Sequence, residues 1–281
     1  MDINGIILDG IIKNALKEDI GTGDITANTT IPENKTAAGR FIAKERGVIC
    51  GLEVCGRVFL ALDANIKFTA LKKDGDQIEP GEIIADVSGN ARNLLTAERT
   101  ALNLLQKMSG IATLTALTVS QIEGTKTRIA DTRKTTPGLR VLEKYAVKTG
   151  GGINHRFNLS DGILIKDNHI TAAGGITEAV KSARTNAPHT LKIEVECETL
   201  KDVKQALTAG ADIIMLDNMS NSEMKKAVEI ISGKAITEAS GNMGDKNLRA
   251  VAETGVDIIS MGAITYCAKY LDISLKFKLE E

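Results

Sequence analysis

Two cations stand side by side in DTRKTTPGLR: Arg133 and Lys134, with Thr132 before them and a Pro-Gly turn behind. Arginine offers a planar fork matched to carboxylate or phosphate, and lysine a mobile point charge. The plain alternative is a surface ion pair with Asp131. His155 and Arg156 follow a glycine run, GGG, where backbone can approach a ligand closely. Lys166 closes the apolar run GILIK. A lysine at the end of a buried strand must reach an anion or lose its charge, so it could bind substrate or form a Schiff base. In KIEVEC, Glu194 and Glu196 share a face because strand side chains alternate with period two. Glu196 is nearer the C-terminal end and is the better ligand. Asp217 closes IIMLD. Two carboxylates on neighbouring strand ends could hold ribose hydroxyls or a hard cation such as Mg²⁺, or simply pair with the nearby cations. Ser240-Gly241-Asn242 and Gly262-Ala263 end two further apolar runs, and small residues there expose backbone N–H groups to phosphate.

The charge is concentrated in one stretch. From Lys126 to His169 there are nine Lys or Arg against four acids, so that stretch is +5 within a chain of net charge -1. The basic residues sit among Gly, Thr and Pro, not at exposed helical spacing, which suits a focused field for an anionic small molecule. With 281 residues, 43% hydrophobic and 25% charged, the chain is globular and long enough for one large domain or two modest ones. Disorder and nucleic-acid binding through a basic surface do not fit this composition. No run approaches the length of a membrane span, and MDINGIILDG, without a basic start and broken by Asp9, is not expected to act as a signal peptide, so a cytoplasmic location is expected. Four cysteines without a paired C-x-x-C read as reduced thiols. The absence of Trp leaves no aromatic platform for stacked bases.

These residues must be positioned by a repeating element. Short β-branched runs recur as RIADT (128–132), GILIK (162–166), KIEVEC (192–197), IIMLD (213–217), AITEAS (235–240) and DIISMG (257–262), with amphipathic helical patterns between most of them. Such alternation predicts a parallel sheet, and polar clusters closing each strand predict an active rim on a (β/α) barrel. Six strands instead of eight predict an irregular barrel. The first ~110 residues read differently, as short alternating strands with a helix before and a long helix after, a helix that could break at Gly110. The expected division is therefore an N-terminal α+β layer domain with a helical connector over 1–111, a barrel over 112–270, and a segment over 271–281 returning to the first domain.

The wording of the motifs goes further. EDIGTGDIT, TAERTALNLLQKMSGIAT, ADTRKTTPGLRVLEKYAVKTGGGINHRFNLSDGILIKDNHI, IEVE, IMLDN, EASGN and SMGA, in this order, closely resemble the quinolinate phosphoribosyltransferase family, the carboxylating nicotinate-nucleotide diphosphorylases of NAD biosynthesis. The resemblance runs over essentially the whole chain. It implies an N-terminal α+β sandwich domain followed by an incomplete (β/α) barrel of about six strands, a homodimer, alone or in a larger assembly, and the Mg²⁺-dependent reaction of quinolinate with phosphoribosyl pyrophosphate (PRPP). It implies a cationic quinolinate pocket at Arg99, Arg133, Lys134, His155, Arg156 and Lys166, with Arg99 delivered across the dimer interface. It places Thr132 among the binding residues, Glu196 and Asp217 on the ribose and metal side, and Ser240-Gly241-Asn242 and Gly262-Ala263 at phosphate. Lys134, Lys166, Glu196 and Asp217 would be the catalytic set. On pattern alone, a Schiff-base aldolase and an anion-binding barrel remain open, as does a paralogue from molybdenum-transport operons that shares much of the family pattern.

Overall fold

The computed structural model describes residues 3–279. In chain order its elements are α1 (Gly5–Ile20), α2 (Ile25–Thr30), β1 (Thr36–Ala43), β2 (Gly47–Val48), α3 (Leu52–Leu62), β3 (Lys67–Ala70), β4 (Gln77–Ile78), β5 (Ile83–Asn90) and α4 (Ala91–Ser120). There follow β6 (Arg128–Ala130), α5 (Arg140–Thr149), β7 (Ile163–Ile165), α6 (Asp167–Ala173), α7 (Ile176–Asn186), β8 (Ile193–Cys197), α8 (Leu200–Ala209), β9 (Ile213–Asp217) and α9 (Asn221–Ile231). The chain closes with β10 (Ile236–Ser240), α10 (Leu248–Ala252), β11 (Ile258–Ser260), α11 (Ala263–Tyr266) and β12 (Ile273–Leu279). Two compact units result. Among the described residues one takes 3–116, 136–151 and 267–279, the other 117–135 and 152–266. Residues 1, 2, 280 and 281, where the expected division starts and ends, lie outside the described residues.

The first unit is built on an antiparallel sheet of order β12-β1-β5-β3. In β1 buried and exposed positions alternate, as one covered face requires. Phe41, Phe59 and Phe68 meet beneath it at ring separations of 5.9 to 6.3 Å. The last strand, β12, pairs with β1 from Ala37↔Leu279 to Ala43↔Ile273. Helix α1 starts where the Asn4 side chain accepts the Ile6 N–H, and it buries Leu8, Ile12 and Leu16, four residues apart on one stripe. Helix α4 runs unbroken through Gly110. That glycine serves packing, since a Cβ there would collide with the Lys269 carbonyl oxygen. By its contacts the segment 136–151 groups with the first unit. Its helix α5 is tied there by Tyr145 Oη donating to Asp74 Oδ2 at 2.9 Å, and by Glu143 pairing with Lys107 at 3.1 Å.

In the second unit six parallel strands run in the order β6-β11-β10-β9-β8-β7. That is the order of a barrel opened between β6 and β7. Beside the opening, Ile153 makes a lone parallel bridge to Ala130. Capping boxes start α8 at Thr199 with Asp202 and α9 at Ser220 with Glu223. The register then sorts the side chains. Glu196 and Glu238 both pair with Met215, Asp217 pairs with Ser240, and Glu194 pairs with Leu164. Paired residues share a face, as do residues two apart along a strand. Glu194, Glu196, Asp217, Glu238, Ser240 and Lys166 therefore all lie on one face of this sheet. Among the described residues no helix is long and apolar enough to cross a membrane.

Candidate active site

The C-terminal ends of the six strands carry the charged residues singled out in the sequence. Lys166 follows β7 and caps α6, and its Nζ lies 2.7 Å from Glu196 Oε2 on the adjacent β8. Its side chain is 46% exposed, whereas Glu196 is 13% exposed. Asp217, one pleat further along on β9, accepts the Asn218 side-chain amide at 2.7 Å through Oδ2. Arg133 and Lys134 are exposed on the loop after β6. That loop turns tightly, because Thr132 Oγ1 accepts the Lys134 N–H at 3.0 Å and the Lys134 carbonyl accepts Thr265 Oγ1 at 2.7 Å. Gly262 is open for the Lys134 stem, since a Cβ there would lie 2.8 Å from Lys134 Cδ. The loops after β6 and β11 are thus brought together.

His155 and Arg156 are set by Asp131, which is wholly buried just beyond β6. Asp131 accepts the His155 N–H at 2.8 Å and the Asn154 amide at 2.7 Å. The ring of His155 turns inward. Its Nε2 lies 3.1 Å from Glu194 Oε2 and 3.5 Å from Glu238 Oε1. These three residues offer ligand atoms within 4.8 Å of one another, a spacing that a metal ion could use. The hydrogen bonds argue otherwise. His155 Nδ1 accepts the Arg156 N–H at 2.8 Å, which assigns the ring proton to Nε2. A metal-ligating histidine donates through its other nitrogen, and this one accepts. The triad is therefore a cluster in which the His155 ring is fixed by the Arg156 N–H at one nitrogen and faces Glu194 and Glu238 with the other. Arg156 Nη1 donates to the Gly162 carbonyl at 2.9 Å. Burial, and then the like charge of Arg133, hold its guanidinium below the ordinary range, with Glu194 opposing.

Glu238 is the residue the sequence reading passed over, although Glu194 was noted. Both are buried, at 2% and 4% exposure. They line a cavity of about 520 Å³ with His155, Arg156, Asp161 and Lys192. The signal was present in AITEAS, where period two puts Glu238 on the face of Ser240, and an acid within an apolar parallel strand demands a partner. Burial, reinforced by Glu194 and opposed by His155, pushes the Glu238 carboxyl up from 4.5 to about 7. The folded chain thus binds that proton more tightly than the unfolded chain, and stability is lost as pH rises through this interval. Glu238→Gln, which has no proton to release, should gain stability over the parent between pH 5 and pH 8. Melting temperatures at the two pH values check this, and an equal difference at both would mean that Glu238 is ionised throughout.

Every expected site residue except Arg99 lies in the second unit; Arg99 belongs to the first, exposed on α4. The four cysteines are free thiols, with Cys50, Cys55 and Cys197 buried and Cys267 exposed.

Comparison with known proteins covers the whole of this arrangement. The family model of the quinolinate phosphoribosyl transferase N-terminal domain matches residues 24–109, and that of the C-terminal domain matches residues 111–276. The chain is 45% identical over 277 residues to a probable nicotinate-nucleotide pyrophosphorylase (carboxylating) of Bacillus subtilis, covering 99% of this chain and 96% of that one. It is 44% identical over 292 residues to the chloroplastic nicotinate-nucleotide pyrophosphorylase (carboxylating) of Arabidopsis thaliana, covering 97% and 83%. The crystal structure of NadC from Streptococcus pyogenes superposes with a TM-score of 0.94 at 42% identity, each chain covered in full.

Proposed function

The chain belongs to the quinolinate phosphoribosyltransferase family, and from the site it builds we propose that it joins quinolinate to PRPP, releasing nicotinate mononucleotide, CO₂ and pyrophosphate. The carrying observation is the meeting, at one end of a parallel sheet, of the cations Arg133, Lys134 and Lys166 with the carboxylates Glu196 and Asp217. Quinolinate carries two carboxylates, and Arg133, Arg156 and Lys166 supply the charge to hold them. The donor is polyanionic at one end and hydroxylated at the other. Lys134 with the backbone of Ser240-Gly241-Asn242 and Gly262-Ala263 suits its phosphates, and Glu196 with Asp217 suits its ribose.

Two oxygen donors on neighbouring strands also fit Mg²⁺, which usually takes one or two carboxylates and completes its shell with phosphates and water. Glu196 commits one oxygen to Lys166, and Asp217 one to Asn218. Each keeps its second oxygen for such a role. When bound, the ion would neutralise charge on the leaving pyrophosphate.

The residues then do the following. The cations hold the quinolinate ring with its nitrogen toward C1 of the ribose. As the C1–O bond to pyrophosphate breaks, the C1–N bond forms, and Lys134 meets the charge that develops on the leaving oxygens. Loss of CO₂ leaves its electron pair on the ring carbon beside the quaternised nitrogen, and that carbon then takes a proton. Lys166 must hold the substrate carboxylates without clamping the ground state, because equal binding of ground and transition states does not raise the rate. The Schiff-base reading is disfavoured because Lys166 Nζ is engaged by Glu196 at 2.7 Å, whereas a Schiff base needs an amine free to attack a carbonyl.

The same proposal has the enzyme act in the cytoplasm as a homodimer, with Arg99 of each subunit completing the other's site. The test is PRPP-dependent release of CO₂ from carboxyl-labelled quinolinate, with nicotinate as the control acceptor. Nicotinate leaves one cationic subsite unpaired, at a cost of about 1 to 3 kcal/mol or more, and should not be used. Equal turnover of the two acids would overturn the assignment. Glu196→Gln and Asp217→Asn should raise the Mg²⁺ and PRPP concentrations required far more than the quinolinate KM. Unchanged metal and donor dependence would leave both residues as ion-pair partners only.

A further inference from the structure

Asn218, next to Asp217, adopts a backbone conformation that few residues tolerate. Its φ is 54°, in the left-handed region, where asparagine is among the few non-glycine residues at ease. From there its N–H donates to the Ser240 carbonyl at 3.1 Å, extending the β9–β10 ladder by one step beyond the strands. Its side chain reaches both ways. Nδ2 donates to Asp217 Oδ2 at 2.7 Å, and Oδ1 accepts from Asn242 Nδ2 at 3.4 Å. The amide orientation is settled by its neighbour, because a carboxylate only accepts. Gly241 lies directly against this amide. A Cβ there would collide with Asn218 Oδ1 and sit 2.7 Å from Asn218 N, and Gly241 itself has φ 90°. Asn242 follows, also left-handed at φ 51°. The turn after β10 is therefore moulded on one side chain from β9.

We propose that Asn218 is a positioning residue that couples two parts of one subsite: its amide orients the Asp217 carboxylate, and its body seats the Ser240-Gly241-Asn242 turn. This rests on the reading above, in which Asp217 meets the ribose and metal while the turn meets phosphate. Neither group touches quinolinate in that reading, so Asn218 governs the donor and not the acceptor.

Two variants separate the amide from the backbone. Asn218→Gly keeps the left-handed φ and loses the amide. Asn218→Asp keeps size and tolerance of that φ but turns an oxygen toward Asp217. Loss of one hydrogen bond to a charged group predicts a rise of about ten-fold in the PRPP KM for the glycine variant, and a larger rise for the aspartate variant. The quinolinate KM should stay within about two-fold and the melting temperature within a degree or two, since the residue is exposed. Calorimetric titration of each protein with pyrophosphate and Mg²⁺, without quinolinate, should show the same order of weakening. That measurement separates the two readings. A parent protein that binds pyrophosphate but turns over no quinolinate refutes the proposed reaction and leaves the coupling scored by the variants' pyrophosphate affinities. Parental pyrophosphate affinity in both variants overturns the coupling, as does a quinolinate KM rising in step with that of PRPP. A parent that binds no pyrophosphate overturns both.

Discussion

Lys166→Ala is expected to lower kcat/KM for quinolinate by about 10² to 10³-fold, as removal of one preorganised electrostatic contact does elsewhere. The lysine is placed by the end of β7 and by helix α6, which it caps, and its ammonium sits at the mouth of the sheet beside Glu196. Among the described residues that charge pairs with Glu196 alone. With its side chain 46% exposed, its pair with Glu196 contributes at most about 1 kcal/mol to folding. The melting temperature should therefore move by only a few degrees. A loss of activity matched by a large loss of stability would make Lys166 a structural residue. Borohydride reduction in the presence of an aldehyde or ketone substrate gives a second check. A covalent adduct at Lys166 would revive the Schiff-base reading, which needs Lys166 Nζ released from Glu196.

Much of this site was legible because a parallel strand has a period and an end. All six runs read as strands hold a strand, and the register gathers Glu196, Asp217 and Ser240 on one face. Strand limits were less legible. RIADT was read over 128–132, whereas β6 stops at Ala130, because Asp131 leaves the ladder to hold Asn154 and His155. That partnership spans more than twenty residues and has no local signature. Glu238 was passed over for a related reason. Within AITEAS it looks like one acid in an apolar run, and its meaning comes from Glu194 and His155, on other segments of the chain. Asn218 read as part of a polar closing cluster, since its left-handed backbone becomes necessary only when Gly241 lies against it. The grouping of α5 with the first unit was hidden likewise, for Tyr145 and Glu143 find Asp74 and Lys107 far upstream.

Arg99 poses the remaining question, and its answer depends on the proposed dimer. It lies on α4 within LLTAERTALNLLQ, where Leu94, Ala97, Ala101, Leu102 and Leu105 are buried and pin the helix, while Arg99 is exposed. An exposed arginine on a helix ordinarily forms a surface pair worth about 0.3 to 0.5 kcal/mol, and its loss would go unnoticed. If each subunit instead lends Arg99 to its partner's quinolinate pocket, Arg99→Ala should cost as much as Lys166→Ala, because a substrate carboxylate is left without its fork. The two variants are then complementary. In a two-fold dimer made of one of each, one site lacks both residues and the other has both. Unfolding, mixing and refolding the two inactive proteins in equal amounts should give mixed dimers as about half the population, with one good site of two. Activity should therefore recover to about a quarter of the parent's. Mass spectrometry under non-denaturing conditions counts the mixed dimers, so the recovered activity can be scaled to them. Mixed dimers without activity would put Arg99 in its own subunit's site, because the residue and Lys166 would then be lost from different sites of the same dimer.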